Sequence, residues 1–374
     1  MAPVPTIRDE ALRAFVESVL VRLGARAGDA ATVARALVDA DLHGIDTHGV
    51  ARLPAYVRLV DRGLLNLEAE PVLSHDGGAV ATVDGDNGFG QVVGETSIDL
   101  ACRLAQQYGI GWVTAINSNH FGTVGYYTRR AAARGLVAFG GTNSAAVVAP
   151  TRGITRFLGT NPLAFSVPGT EGIAIDLDMS TSSVSGGKLE QAVRTGSAIP
   201  EGWLIDAAGQ PVTDPTRGLS EGGCLLPLGG TELHSSYKGY GLAMMIEVFC
   251  SALMSAPYGR SVGPLTSGAP TFPAQVSHFF MVLDPGRFQD PSSFRRHVDA
   301  FCDDARAQRP ADEGSPVLVP GDPEASSLAQ RRRGGIPLHE RVVEALDDLA
   351  TRFALETLSS QLTPPTAGGS SNHE

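Results

Sequence analysis

Residues 109–125 read GIGWVTAINSNHFGTVG, in which an apolar, β-branched run leads into a turn of small polar residues, one histidine and two glycines. The run is typical of a strand, and the residues that follow, YYTRRAAARG, are typical of a helix. Glycine and other small residues at such a strand end let the backbone approach a ligand closely. His120 is the only titratable side chain in the turn, so it is a candidate acid or base.

Strand and helix patterns alternate on both sides of this stretch, which predicts a mixed α/β (α+β) fold. Two amphipathic helices are expected within residues 7–42, with Asp29 as the N-cap of the second, and a third helix must hold Pro54 near its start. Residues 189–235 are rich in glycine and proline and are expected to be irregular apart from one helix. The clearest helix is YKGYGLAMMIEVFCSALMSA, at residues 237–256.

The composition is typical of a globular protein, and the length of the chain predicts two lobes. The chain has 374 residues, of which 43% are hydrophobic and 18% charged, and its net charge of −11 disfavours nucleic acid and anionic membrane surfaces as partners. No secretory signal is expected, and the apolar segment 241–258 is too short to span a bilayer. The four cysteines lack CxxC spacing, which indicates reduced thiols in the cytoplasm and gives no support for a metal site.

The glycines Gly88, Gly90 and Gly94 follow one predicted strand and open a helix, as a dinucleotide fingerprint does. In that motif the next strand ends in an acidic residue that binds the ribose. Here the next strand ends in Asn-Ser-Asn-His at residues 117–120. The glycines are therefore interpreted as a tight turn and not as a Rossmann site.

Residues 41–56 read DLHGIDTHGVARLPAY and concentrate polar side chains beside predicted helices. The two histidines are five positions apart and flanked by glycines, so they do not share a helix face and a metal pair is not expected. One interpretation is a polar connection whose histidines bind backbone carbonyls. The other is a site for a small carboxylate, with an arginine for the carboxylate and proton donors beside its neighbouring carbonyl. The side chains for such a site are Thr47, His48, Arg52 and Tyr56, the last two on one helix face.

Motifs spread over residues 7–350 resemble, in the same order, those of one enzyme family. They are DLHGIDTHGVARLPAY, NSNHFGTVGYY, GTNPLAFSVP, DLDMSTSSVSGGK, PEGW, LPLGG, YKGYGLAMMIEVF, HFF, PGDPE and GIPL. The chain is similar to the second type of malate/L-lactate dehydrogenases, a family that also includes sulfolactate and ureidoglycolate dehydrogenases and Δ1-piperideine-2-carboxylate reductases. Coincidence does not account for so many ordered motifs.

The resemblance implies a fold and an assembly. Members bind NAD or NADP on a non-Rossmann α/β domain, beside a helical domain built from both chain ends, and they work as homodimers with active sites near the subunit interface. For this chain we expect a helical N-terminal part with substrate and dimer contacts at 1–75 and a cofactor-binding domain at 76–320, which holds the irregular insert 189–235. A C-terminal helical part at 321–358 is expected to pack on the N-terminal part, before a disordered tail at 359–374.

The resemblance also assigns roles to individual residues. His120 matches the acid/base position, with Thr47 and His48 as the competing candidates for proton transfer, and Arg52 and Thr160 match substrate contacts. No metal is implied, because hydride transfer with nicotinamide needs none. The cofactor positions are His120, Phe121, Gly122, Thr123, Ser144, Asp178, Met179, Ser180 and Lys238.

Two departures from the family pattern bear on the substrate. The family usually has Ser-His-Gly where this chain has Thr47-His48-Gly49, and the added methyl group and stiffer χ1 of threonine are expected to narrow substrate choice. In the piperideine-carboxylate reductases, that serine and histidine form a relay with an aspartate after the DMST segment. This chain has Gly-Gly-Lys there, at residues 186–188, which weakens the assignment to imine reduction.

The leading hypothesis is an NAD(P)-dependent oxidoreductase that transfers a hydride between nicotinamide and the 2-position of a small 2-keto or 2-hydroxy acid, such as malate, lactate or sulfolactate. The alternative is an NADPH-dependent reductase of a cyclic imine 2-carboxylate. A third hypothesis is a non-catalytic protein that keeps the fold. The intact set of His48, Arg52, His120, Asp178 and Lys238 argues against it.

Overall fold

A computed structural model describes residues 5–217, 221–265, 270–312 and 314–363. The strands are β1 Thr6–Ile7, β2 Val72–Asp76, β3 Val80–Asp84, β4 Ile110–Ser118, β5 Val137–Thr142, β6 Leu163–Gly169, β7 Gly172–Met179, β8 Leu204–Ile205, β9 Cys224–Leu225, β10 Val276–Leu283 and β11 Ile336–Pro337. The α-helices are α1 Asp9–Leu23, α2 Ala27–Leu42, α3 Leu53–Asp61, α4 Gly90–Tyr108, α5 Gly125–Ala132, α6 Gly186–Thr195, α7 Ser236–Cys250, α8 Pro291–Arg306, α9 Asp322–Gly334 and α10 Glu340–Phe353.

The chain divides into two compact units, of which the first joins residues 1–58 to residues 323–374 and the second is residues 59–322. The first boundary was expected after residue 75. In the structure residues 59–75 belong to the second unit, where β2 is the edge strand of the sheet. The mixed α/β class is confirmed.

The first unit is helical and is closed by a short pairing of β1 with β11. Helix α1 buries one apolar face, as its amphipathic pattern predicts, whereas α2 is buried on most sides from Ala30 to its end. Pro54 is the second residue of α3, where its missing N–H costs no helical hydrogen bond. The prediction for Asp29 is wrong: α2 begins at Ala27, and the Asp29 carboxylate in its first turn accepts a hydrogen bond from Arg26 Nε at 2.8 Å.

The end of the chain contributes more to the folded unit than predicted. A tail was expected from residue 359, but Leu358–Gln361 form a 3-10 turn and Leu358 is buried. Thr363 exchanges backbone hydrogen bonds with Thr6, which ties this segment to β1. Residues 364–374 of the predicted tail lie outside the described residues.

The second unit is built on a seven-stranded sheet in the order β2-β3-β4-β10-β5-β6-β7. The β3–β4 pair is parallel, and the other neighbours in this sheet are antiparallel. Strands β4 and β5, joined by α5, run in the same direction and leave a gap of one strand, which β10 fills. This order differs from the parallel sheet of a Rossmann fold.

The glycines that imitate a dinucleotide fingerprint serve close packing. A Cβ atom at Gly90 would lie 2.3 Å from the carbonyl oxygen of Asn119, and one at Gly94 would lie 2.5 Å from the ring of Tyr127. Glycine at these positions lets α4 approach the turn after β4 and the helix that follows it. The interpretation as a tight turn is wrong for Gly90 and Gly94, which lie within α4 and allow that helix to pack closely.

The glycine-rich segment 189–235 is less irregular than predicted. It contains most of α6, which Ser185 caps with its hydroxyl, and the two-stranded β8–β9 pair. These elements enclose an apolar cluster of their own, which consists of Val148, Val184, Leu189, Ile199, Leu204, Val212 and Leu225.

In the part of the chain that the structure describes, each helix is too short or too polar to cross a membrane. Within the same ranges, His, Cys, Asp and Glu side chains do not gather into a group of three or more that could hold a metal ion.

Candidate active site

The turn that carries His120 joins the end of β4 to the start of α5. Asn119 Nδ2 donates to the carbonyl oxygens of Asn87 at 3.0 Å and Gly88 at 2.9 Å, which attaches the turn to the segment before α4. His120 is half-buried, and its Nδ1 accepts a hydrogen bond from the N–H of Gly122 at 3.4 Å. A donor at Nδ1 assigns the proton of the neutral ring to Nε2.

Phe121 is held in a stack of three rings. Its ring lies 3.9 Å from that of His278 and 4.6 Å from that of Tyr127, and it is 1% exposed. The Tyr127 hydroxyl also donates to the Phe121 carbonyl at 2.6 Å. The side chain predicted to pass close to the cofactor is therefore part of the core, and the backbone is what this position offers to a ligand.

His278, which the sequence analysis did not assign to the site, supports this turn from the sheet. It is fully buried in β10, with Nδ1 2.8 Å from Thr142 Oγ1 and Nε2 2.8 Å from Ser118 Oγ. The Thr142 hydroxyl donates to the carbonyl of Ser277, so His278 Nδ1 donates to Thr142 and its Nε2 accepts from Ser118. Burial lowers the pKa of His278 to about 3, so the ring is neutral at pH 7.

Gly122 and Thr123 leave room for a ligand beside His120. Gly122 has φ +84°, and a Cβ atom there would have nothing within 4 Å. Thr123 is 5% exposed, and its Oγ1 has no hydrogen-bond partner among the residues that the structure describes. A buried hydroxyl without a partner is costly unless a ligand or water completes it. The open side of Gly122 therefore leaves room for a cofactor along this backbone, while the Thr123 hydroxyl lies beneath the surface.

Ser144 and Thr160, predicted as a cofactor and a substrate contact, lie side by side. The backbone N–H of Thr160 donates to Ser144 Oγ at 3.1 Å, and the two hydroxyl oxygens are 3.5 Å apart. Asn161 Oδ1 accepts from the N–H of Ser144 at 3.2 Å. A Cβ atom at Gly159 would lie 2.2 Å from Ser144 Oγ, so this close approach requires glycine.

The predicted cofactor run 178–180 lies at the end of β7. Asp178 Oδ2 accepts from the N–H of Gly125 at 2.8 Å and so caps α5, the helix that follows the His120 turn. Met179 packs against an apolar cluster that includes Phe279. Ser180 is half-buried, and its hydroxyl donates to the carbonyl of Ser182 at 3.3 Å. Asp178 thus has a structural role at the turn.

Lys238 lies in the first turn of α7 and is exposed. The helix start is held against the LPLGG segment, because a Cβ atom at Gly239 would lie 2.4 Å from the carbonyl oxygen of Leu228. Ser236 Oγ lies 3.3 Å from Thr151 Oγ1. An exposed ammonium group on a fixed helix start is suited to an anionic part of a ligand.

The predicted carboxylate-binding residues lie in the first unit. Thr47 Oγ1 is 2.9 Å from His48 Nδ1, and Arg52 Nε donates to the carbonyl of Thr47 at 2.5 Å. Burial first and the charge of Arg52 second lower the pKa of His48 to about 4. Arg52 ends a 3-10 turn and Tyr56 lies in α3, so the two do not share one continuous α-helix; Tyr56 is 2% exposed.

A buried carboxyl group that the sequence analysis missed shapes this segment. Asp41 Oδ2 accepts from the N–H of Val50 at 2.9 Å, just before Arg52. Gly49 lies against the same group, since a Cβ atom there would fall 1.8 Å from Asp41 Oδ1. Burial raises the pKa of Asp41 well above its ordinary value. Arg331 of α9 donates to the Asp41 carbonyl at 2.5 Å and forms an ion pair with Asp46.

Comparison with known proteins identifies the family. The family profile described as malate/L-lactate dehydrogenase matches residues 7–347. A malate dehydrogenase of Pyrococcus horikoshii is 39% identical over 348 residues, which is 93% of this chain and 95% of the relative. An L-sulfolactate dehydrogenase of Methanocaldococcus jannaschii is 34% identical over 93% of this chain and 97% of its own length.

Solved structures agree with the sequence comparison. A malate dehydrogenase structure from Pyrococcus horikoshii superposes with a TM-score of 0.87 at 36% identity and covers 96% of this chain and 98% of its own. A Δ1-piperideine-2-carboxylate reductase from Pseudomonas syringae has a TM-score of 0.81 at 26% identity, over 92% and 99% of the two chains. The chain therefore belongs to the malate/L-lactate dehydrogenase family and is an oxidoreductase acting on hydroxy acids with a nicotinamide cofactor.

Proposed function

We propose that this chain catalyses NAD- or NADP-dependent hydride transfer at the 2-position of a small 2-keto or 2-hydroxy acid of the malate, lactate or sulfolactate type. The bound nicotinamide would accept or supply the hydride. The observation that carries the proposal is the open space at Gly122, two residues after His120 in the turn that follows β4. The relatives named malate and sulfolactate dehydrogenases support the substrate class.

Arg52 is proposed to bind the substrate carboxylate. Its Nε donates to the Thr47 carbonyl, which places the guanidinium beside Thr47 and His48, and a planar guanidinium suits a carboxylate. Thr160 is proposed as a second substrate contact because its N–H rests on the hydroxyl of Ser144. Ser144, Lys238 and the 178–180 run are proposed to contact the cofactor.

His120 is proposed to give the proton to the substrate oxygen in reduction and to take it back in oxidation. The competing pair is Thr47 and His48. With a pKa of about 4, His48 is uncharged at neutral pH and is a weak base, which disfavours it as the group that exchanges the proton. Its hydrogen bond with Thr47 suits it to orienting the substrate.

A homodimer is proposed as the working assembly. The outward face of α7 carries Tyr237, Met244 and Val248, which are 55%, 38% and 42% exposed. Their spacing puts them on one side of the helix. Exposed apolar stripes of this kind are typical of subunit interfaces. A second copy of the chain is the proposed occupant, and sedimentation at twice the monomer mass is the expected result.

The test is a panel of acids assayed with each nicotinamide. Oxaloacetate, pyruvate, sulfopyruvate and Δ1-piperideine-2-carboxylate are each incubated with NADH and with NADPH, and the loss of nicotinamide absorbance is followed. Turnover of one of the keto acids is expected. Turnover of the cyclic imine alone would favour the alternative function, reduction of a cyclic imine 2-carboxylate. The similarity to a piperideine-carboxylate reductase is the reason for including this substrate. Binding of neither nicotinamide would overturn both.

A further inference from the structure

Glu247 is a buried acidic residue in the last turn of the apolar helix α7, 7% exposed. Its Oε2 accepts a hydrogen bond from Asn161 Nδ2 at 2.6 Å. Its Oε1 accepts from Asn143 Nδ2 at 3.3 Å, from Ser251 Oγ at 3.1 Å and from the N–H of Gly259 at 3.2 Å. Burial of a carboxylate is costly unless donors bond to its oxygens, and here both oxygens accept hydrogen bonds.

The two asparagines that donate to Glu247 also hold the backbone of the site. Asn161 Oδ1 accepts from the N–H of Ser144 at 3.2 Å, and Asn143 Oδ1 accepts from the N–H of Ser277 at 2.9 Å. Each amide therefore has a fixed orientation, with its nitrogen toward Glu247 and its oxygen toward a backbone N–H. The orientation of Asn161 decides whether Ser144, and with it Thr160, keeps its position.

We propose that Glu247 is a positioning residue that sets the placement of Ser144 and Thr160 through the side chain of Asn161. The inference rests on the proposed function, in which those two hydroxyl residues contact cofactor and substrate. Glu247 itself contacts neither ligand. It acts by keeping the Asn161 amide from rotating, since a rotated amide would present its NH2 to the N–H of Ser144.

Glu247→Gln separates this role from bulk packing. Glutamine keeps the volume of the side chain but replaces one oxygen with a donor. Three donors surround Oε1, so the new NH2 faces Asn161 and opposes the Asn161 NH2. Either the two donors stay opposed, or Asn161 rotates and loses its bond with Ser144.

A second substitution, at Asn161, is expected to restore the hydrogen bond that Glu247→Gln disrupts. In Glu247→Gln with Asn161→Asp, the glutamine NH2 donates to one aspartate oxygen while the other still accepts from Ser144. Asp tolerates the φ of +34° at position 161. The carbonyl of Ala243, which now accepts from Asn161 Nδ2 at 3.2 Å, would face an oxygen, so partial rescue is expected.

Ile246→Val is the matched control, because Ile246 is fully buried one position earlier in α7 and makes no hydrogen bond through its side chain. Affinity for NADH and NADPH is measured by fluorescence titration, KM and kcat with the acid that the wild type reduces, and stability by urea denaturation. Glu247→Gln is expected to weaken cofactor affinity and raise the KM of the acid by about ten- to a hundred-fold. The double variant should recover most of this loss, and Ile246→Val should lower the denaturation midpoint while leaving affinity and KM unchanged.

Unchanged affinity and KM in Glu247→Gln, in an enzyme whose wild type binds nicotinamide, would overturn the inference. So would a double variant no better than the single one. If Glu247→Gln does not fold, Asn161→Asp alone breaks the same contact from the other side and carries the test. A wild type that binds neither nicotinamide contradicts the proposed function instead, so the two failures are distinguishable.

Discussion

His278 makes the stability of this protein depend on pH, with a sign that follows from its burial. Its side chain has no exposed surface, and its pKa is lowered from an ordinary 6.5 to about 3. Between those two values the unfolded chain binds a proton that the folded chain does not, so acid favours unfolding. The stabilisation is therefore complete above pH 6.5 and is lost progressively as the pH falls toward 3.

The magnitude follows from the width of this window. Within it, each pH unit changes the free energy of unfolding by about 1.4 kcal/mol for one such histidine. Between pH 6.5 and pH 5, His278 alone is expected to account for a loss of about 1.5–2 kcal/mol. His48, with a pKa lowered to about 4, acts in the same direction.

The assay compares the wild type with His278→Gln by urea denaturation from pH 5 to pH 8. Glutamine can still bond to Ser118 and Thr142 but does not titrate. The variant should be less stable at pH 7, because the ring stack with Phe121 is lost, and the difference should shrink by about 1.5–2 kcal/mol at pH 5. His75→Gln, on the exposed edge strand β2, is the control and should follow the wild type. Stability curves for His278→Gln and the wild type that stay parallel across this range would refute the reasoning.

Three further predictions concern the site. Arg52→Lys keeps the positive charge but loses the planar guanidinium that binds a carboxylate through two nitrogens. The kcat/KM for the acid should therefore fall at least about a hundred-fold, with little change in cofactor affinity. Wild-type kinetics in this variant would show that Arg52 does not belong to the site. His120→Ala should lower turnover by about two to four orders of magnitude and abolish the basic limb of the pH profile of reduction. If only His48→Ala abolishes that limb, His48 and not His120 transfers the proton. Gly90→Ala should lower both stability and activity, because the added Cβ would clash with a backbone oxygen of the His120 turn. Gly28→Ala in α2 is the control and should be neutral or stabilising, because a Cβ atom there has nothing within 4 Å. Equal effects of the two substitutions on the denaturation midpoint and kcat would contradict this prediction.

Local patterns predicted much of the secondary structure because they depend on near neighbours in the chain. The strand before His120, the helix after it and the long apolar helix α7 all follow from periodicity. The position of β10 between β4 and β5 did not follow, because strand order is set by pairing between residues more than a hundred positions apart. Asp29 failed as an N-cap because the Arg26 backbone already adopts the capping conformation.

The residues of the candidate site were recognised through motifs. The motifs did not identify the buried residues that hold the site through hydrogen bonds. Glu247 and His278 bond to amides or hydroxyls that are distant in sequence, and Asp41 bonds to the backbone N–H of Val50 beyond the polar turn that follows α2. Each looks like an ordinary residue of a helix or strand until the fold brings its partners together. The one sequence signal was Glu247, a charge inside an otherwise apolar helix, which calls for buried partners.

The central position of β10 has a consequence for the order in which the molecule assembles. Strands β4 and β5 each pair with residues 276–283 and not with each other, so this part of the sheet stays open until β10 arrives, and the same strand brings the His278 ring to Phe121. Closing so long a loop is slow, so the His120 turn should gain its final shape after the flanking strand–helix units have formed. Pulse-labelled hydrogen exchange during refolding should show β3 and α4 protected before β10, and an N-terminal fragment ending before residue 276 should hold a compact β3–α4–β4 unit whose His120 turn stays open to solvent.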